Sequence, residues 1–214
     1  MKIIELLLFL TTIYNKYLSY KYYKKHIDYY AESRGNRYVK MWISVRYTDT
    51  SVYLTMLWSL YCLLYDTPPS EFTCLTWCLS CNVTIGYWLM RDRIIAKEID
   101  TETVAYKMTN YTSHGLLPIL ILLVLPNYPY TLTHIYYPII FSFFWLLCVI
   151  YPWYWITGHA LYSFVKKEIH LVNKIFVITT ILIINVFACY IGYIYSDLIR
   201  FIQTNHDSSF DSIQ

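Results

Sequence analysis

Residues 175–196, IFVITTILIINVFACYIGYIYS, run for 22 positions without a charged side chain. A helix needs about 20 consecutive apolar residues to cross a bilayer, because the hydrocarbon core offers no water to backbone polar groups. This stretch therefore predicts a membrane-spanning helix. Residues 72–90 are also free of charge and predict a second one.

Two further spans are predicted from a long charge-free interval. Residues 108–165 contain no Asp, Glu, Lys or Arg, and Pro126 and Pro129 divide them. Proline cannot donate a backbone hydrogen bond and interrupts a helix. We therefore expect one span over about 114–126 and another over 135–157.

The N-terminal part of the chain predicts two shorter spans. Residues 50–65 are uncharged, and Pro68 and Pro69 follow them, which ends a helix. Residues 3–20 are apolar but contain Glu5. We interpret them as a first span, with an interfacial helix or a cleaved signal as alternatives.

The composition agrees with a membrane protein. Hydrophobic residues make up 57% of the 214 residues and charged residues only 14%, well below the roughly 25% charge of soluble domains. The aromatic content of 20% excludes a disordered chain. Without a dense basic tract, nucleic acid is not an expected partner. We predict an all-α polytopic membrane protein, a bundle of about six transmembrane helices forming one domain over residues 1–214.

The basic residues predict the orientation of these spans. Fifteen of the 17 Lys and Arg residues fall in the first, third and fifth connections. Lys and Arg concentrate on the cytosolic side of membrane proteins. Both termini should then face the lumen or the exterior, and we expect a multi-pass protein of the endoplasmic reticulum or plasma membrane.

Three cysteines share one face of the predicted third span. Cys74, Cys78 and Cys81 are spaced as metal-binding thiolates on a helix would be. A fourth ligand is missing nearby, and small residues promote close helix packing in lipid. We therefore interpret them as packing residues and predict no metal and no cofactor.

Thr55 and His114 are the candidate reactive residues. Thr55 is either bonded back to a backbone carbonyl or a nucleophile, which needs an adjacent base. His114 is either a capped helix-entry residue or a general base, with free N–H groups beside it that could bind an oxyanion. The spans that carry Thr55 and His114 both begin on the side of the membrane that has the basic connections. The depths of the two residues in the membrane therefore differ by only about 6 to 8 Å. His159 is a competing base. His134 is an inferior one, because its span begins on the opposite side of the membrane.

Several short motifs occur in an order that resembles a known family. The segments are Tyr53-Leu54-Thr55, Tyr87-Trp88, Asp92-Arg93, His114 with Pro118 and the run Ile119-Leu120-Ile121-Leu122, and Thr157-Gly158 with Tyr162. Over residues 50–165 the chain is similar to the androgen-induced protein family, the multi-span threonine hydrolases of fatty acid esters of hydroxy fatty acids.

The resemblance implies a function and a site. Thr55 corresponds to the nucleophile of the family and His114 to its catalytic partner. The expected protein is an integral-membrane lipid esterase that takes its ester substrate from the bilayer and needs no cofactor. The alternative is a non-enzymatic multi-span protein, such as a channel, carrier, fusion factor or scaffold.

Overall fold

The computed structural model describes residues 2–34, 46–65, 67–95, 100–158, 162 and 170–211. The elements in these ranges are α1 (Lys2–Lys25), α2 (Ile27–Arg34), α3 (Tyr47–Leu64), α4 (Ser70–Ile95), α5 (Val104–Asn127), α6 (Leu132–Thr157) and α7 (Leu171–Asp211). No strand occurs in these ranges. The all-α prediction is confirmed.

Three helices in the described ranges are long and apolar enough to cross a membrane. They are α5, α6 and the Leu171–Asn205 part of α7, with mean hydropathies of 1.4, 1.8 and 2.4. The helices α1, α3 and α4 coincide with the other three predicted spans. They fall short of the same criterion because polar side chains interrupt their apolar sequence.

Twelve polar side chains of α1, α3 and α4 are buried inside the bundle. Buried are Glu5, Thr12, Asn15, Ser19, Asp49, Ser51, Thr55, Ser59, Thr73, Thr76, Ser80 and Asn82. Large apolar side chains of α1 lie outside instead, and Leu6, Leu7 and Leu10 are about half exposed. A helix in water shows the reverse distribution, with its apolar face toward the core. The outer surface of these helices is thus suited to an apolar environment.

Four helices surround a common interior. Helix α3 packs against α1 and α4, and α5 packs against the same two helices. Helix α7 packs on the outside of α4 and against α6. The helices that carry Thr55 and His114 therefore flank the same interior.

One end of the interior is held by polar contacts between helices and the connection after α5. The Tyr128 hydroxyl donates to Glu5 Oε1 at 2.8 Å, and its ring packs edge-on against Trp58 at 5.5 Å. Trp58 Nε1 donates to Thr73 Oγ1 at 3.1 Å. Burial, and then the hydrogen bond to Glu5, raise the pKa of Tyr128. The phenol therefore keeps its proton and remains the donor.

The predicted helix breaks are present. Helix α3 ends before Pro68 and Pro69, and α5 ends beside Pro126. Helix α6 ends at Gly158, whose φ of +70° lies in the left-handed region that glycine adopts without a steric cost. Proline and glycine thus end these helices as the sequence predicts.

The start of α5 differs from the prediction. The helix begins at Val104, ten residues before the expected position, because Thr103 Oγ1 accepts a hydrogen bond from Tyr106 N and caps it. His114 consequently lies inside a continuous helix. The hypothesis that free N–H groups surround His114 at a helix entry is therefore wrong. The competing His159 lies outside the described residues.

Candidate functional site

Thr55 lies on the interior side of α3. Its side chain is buried, and its Oγ1 donates to the carbonyl of Ser51, one turn earlier, at 2.9 Å. This is the usual bond of a threonine inside an apolar helix. In this arrangement the hydroxyl is desolvated and its proton is held by a backbone oxygen. Acting as a nucleophile would require the hydroxyl to leave this carbonyl.

His114 is held in a π-helical turn of α5, Thr112–Leu116. Single π turns inside α-helices are frequent at functional sites. The imidazole is buried and stacks on the ring of Tyr87, with centroids 3.9 Å apart and planes within 3° of parallel. The ring is therefore restricted to one plane by a neighbouring helix.

The hydrogen bond of the His114 ring identifies its neutral tautomer. Nδ1 lies 3.2 Å from the carbonyl oxygen of Val83 on α4. A carbonyl only accepts, so Nδ1 must carry the hydrogen. Nε2 of the neutral ring then has the free lone pair. That is the atom a general base uses to take a proton.

Pro118 and Trp88 fix the backbone of the same turn. In an α-helix the carbonyl of residue 114 pairs with the N–H of residue 118, and proline has none. Trp88 Nε1 donates to the His114 carbonyl at 2.9 Å and supplies the missing partner. The Tyr87-Trp88 and His114–Pro118 motifs, far apart in the sequence, thus meet at one point between α4 and α5.

A buried ionic group lies at the beginning of α3. Asp49 is 4% exposed and pairs with Lys16 of α1 and with Arg46, whose Nε is 2.6 Å from Asp49 Oδ2. The Lys16 ammonium also lies 4.4 Å from the ring centre of Tyr53. Two cations therefore share one buried carboxylate.

Thr55 follows Asp49 by six residues, which is about 9 Å along the helix axis. Among the described residues, no hydrogen bond joins Thr55 to His114, since their side chains bond to Ser51 and Val83 instead. A shared depth of the two residues stays a prediction.

Comparison of this chain with protein-family models, characterised proteins and solved structures finds no match.

A second polar site, not anticipated from the sequence, connects the four helices α3, α4, α6 and α7. Asn82 Nδ2 donates to Asn185 Oδ1, and Asn185 Nδ2 donates to Ser142 Oγ at 3.1 Å. The hydroxyls of Ser142 and Tyr47 are 3.2 Å apart. The two asparagines stand out in the sequence as amides within spans, but nothing in it shows which helices lie side by side.

Tyr47 and Ser142, at one end of this series of hydrogen bonds, border a cleft between α6 and α7. The cleft contains about 370 Å³, including the part open to its surroundings, and its other walls are apolar. The lining residues include Trp145, Leu146 and Leu182. It offers one pair of hydroxyls at the inner wall and otherwise only hydrocarbon contacts.

Proposed function

We propose that the protein crosses the membrane six times, with α1, α3, α4, α5, α6 and α7 as spans, in the endoplasmic reticulum or plasma membrane. Burial of polar side chains against other helices lets α1, α3 and α4 reside in lipid despite their lower hydropathy. The half-exposed Leu6, Leu7 and Leu10 support this, because they would meet acyl chains. The alternation of basic and uncharged connections supports it as well.

We further propose that the protein is a lipid esterase similar to the androgen-induced family and cleaves fatty acid esters of hydroxy fatty acids. The observation that carries this proposal is the setting of His114. Its ring is stacked on Tyr87, its Nδ1 is committed to Val83, and Nε2 is the remaining basic atom. A buried neutral imidazole held in this way is suited to proton transfer.

Thr55 is the proposed nucleophile. Its hydroxyl leaves the Ser51 carbonyl and attacks the ester carbonyl carbon, while His114 Nε2 takes its proton. The bond to the alkoxy oxygen breaks, the imidazolium returns the proton to that oxygen, and the hydroxy fatty acid departs. Water then adds to the acyl-threonine with the same base, which releases the fatty acid and restores Thr55. No cofactor takes part.

The proposal predicts that Thr55→Ala and His114→Ala each lower hydrolysis by at least about 100-fold, the usual contribution of a nucleophile or general base. The assay measures free fatty acid released from a long-chain ester of a hydroxy fatty acid by the full chain in detergent. Both variants should also lose labelling by a fluorophosphonate probe.

Two matched controls accompany this test. Thr180 donates to the carbonyl four residues earlier, as Thr55 does, but lies on the outer helix α7. His134 lies in the first turn of α6, and its Nδ1 accepts a hydrogen bond from the backbone N–H of Thr131. Thr180→Ala and His134→Ala should retain the activity and labelling of the parent. Activity of Thr55→Ala equal to that of Thr180→Ala would reject the nucleophile.

Tyr87 is a positioning residue in this proposal. Tyr87→Leu removes the ring that stacks on His114, so kcat should fall about 10-fold or more while KM changes little. Tyr87→Phe keeps the ring and should restore kcat. The measurement is steady-state kinetics on the same ester. A purely structural role would instead reduce the amount of folded protein without this split between kcat and KM.

One observation favours the non-enzymatic alternative, a membrane scaffold or carrier. In the described part of the chain the Thr55 hydroxyl bonds to Ser51 and not to His114. If the parent protein neither hydrolyses the ester nor reacts with the fluorophosphonate, the scaffold function is the correct one.

A further inference from the structure

Three cysteines from two helices meet inside the bundle, away from Thr55 and His114. Cys74 and Cys78 are one turn apart on α4, and Cys189 belongs to α7. All three are fully buried, and their sulfur atoms lie within 4.8 Å of one another. We refer to them as the thiol triad. Cys81, which the sequence pattern groups with Cys74 and Cys78, is not a member.

The spacing of the sulfur atoms fits a single metal ion. Cys74 Sγ and Cys189 Sγ are 3.7 Å apart. For metal–sulfur bonds of about 2.3 Å, the edge of a tetrahedron is about 3.8 Å and that of a trigonal plane about 4.0 Å. The observed distance therefore matches the distance between two ligands of one ion. Packing alone requires small side chains but does not require three sulfurs to converge.

The surroundings hold α7 in place beside the triad. Trp77 Nε1 donates to the carbonyl of Ala188 at 2.7 Å, and the Tyr130 hydroxyl donates to the carbonyl of Cys189 at 2.9 Å. Cys78 Sγ donates to the carbonyl of Asn185 at 3.7 Å. Donors from α4 and from the connection thus fix the backbone on which Cys189 is carried. Preorganisation of this kind favours metal binding.

We propose that the thiol triad binds one Cu(I) ion. Thiolates are soft ligands that select Cu(I) or Zn²⁺. Structural Zn²⁺ requires four ligands, and within the described residues no fourth His, Cys, Asp or Glu donor joins this group. Copper in its monovalent state accepts three sulfur ligands, so the triad is complete for Cu(I).

Binding through three sulfurs releases three protons, because each thiol must lose its proton to act as a metal ligand and the metal takes the place of those protons. No electron is transferred, because copper enters and stays as Cu(I).

Metal analysis of the purified full chain tests this proposal. The protein, in detergent under anaerobic reducing conditions, is equilibrated with Cu(I) and dialysed against a weak Cu(I) chelator. We expect about one copper per chain, with only sulfur neighbours in its X-ray absorption spectrum. Cys189→Ala and Cys78→Ala should retain at least 10-fold less copper.

Two variants serve as controls. Cys62→Ala removes an equally buried thiol outside the triad and should retain copper. His134 is a possible metal ligand that does not belong to the triad, so His134→Ala should also leave copper retention unchanged.

Three results would overturn the proposal. The first is a parent protein that retains no copper, and the second is a loss of copper in Cys62→Ala as large as in Cys189→Ala. The third is retention of Zn²⁺ in preference to Cu(I), with His134→Ala abolishing it. If a triad variant fails to fold, the copper content and absorption spectrum of the parent alone decide. Neither readout depends on esterase activity.

Discussion

Asp49→Asn should destabilise the folded protein by about 3–5 kcal/mol. Asp49 is buried and accepts from Lys16 and Arg46, and removing one partner of a buried ion pair leaves an uncompensated charge. In this group the substitution leaves two cations together without their shared carboxylate. The measurement is thermal or denaturant unfolding of the full chain in detergent, followed by the helical circular dichroism signal.

A surface pair provides the matched control for this prediction. Glu102 pairs with Lys107, but its side chain is 88% exposed. Exposed pairs contribute little, so Glu102→Gln should change stability by less than about 1 kcal/mol. Adding Lys16→Met to Asp49→Asn should recover part of the loss, because it removes the Lys16 charge that the substitution deprives of its carboxylate. An Asp49→Asn protein as stable as the parent would mean that the group is solvated.

Gly192→Ala should be the second strongly destabilising substitution, at about 2–4 kcal/mol. A Cβ at position 192 would lie 2.3 Å from the Tyr130 hydroxyl and 2.4 Å from Trp77 Nε1. Both side chains would have to move and would lose their hydrogen bonds to the backbone of α7. Overpacking and two lost bonds together account for this magnitude. The measurement is again unfolding in detergent.

Gly86 is the matched control, since it also lies inside a long helix. A Cβ there would meet no atom within 4 Å. Gly86→Ala should therefore stabilise the protein by about 0.5–1 kcal/mol through the higher helix propensity of alanine. If Gly192→Ala behaves like Gly86→Ala, then α7 does not pack on Trp77 and Tyr130 as described.

The sequence predicts the positions of the helices well because the signals that end them are local. Pro126 and Gly158 act through their own backbone geometry, and each ends a helix where expected. The start of α5 at Val104 is missed because the cap at Thr103 lies in a polar segment, where hydropathy carries no information. Charge-free intervals locate the apolar part of a helix and not its full length.

Contacts between helices could not be predicted in the same way. Helical periodicity shows that Cys74 and Cys78 share a face, but it does not show which helix packs against that face. Cys189 and Cys74 are 115 residues apart in the chain and still bring their sulfur atoms within 3.7 Å. The hydrogen bond between Asn82 and Asn185 could not be predicted for the same reason.

The indole bond to the His114 carbonyl has a consequence for how this chain can diverge. The carbonyl cannot pair with the residue four positions later, because that residue is an imino acid, and the indole N–H of Trp88 donates to it instead. In related chains we therefore expect the tryptophan and the proline to be inherited or replaced as a pair. A lineage that gave up Pro118 would lose one reason to preserve an indole opposite it.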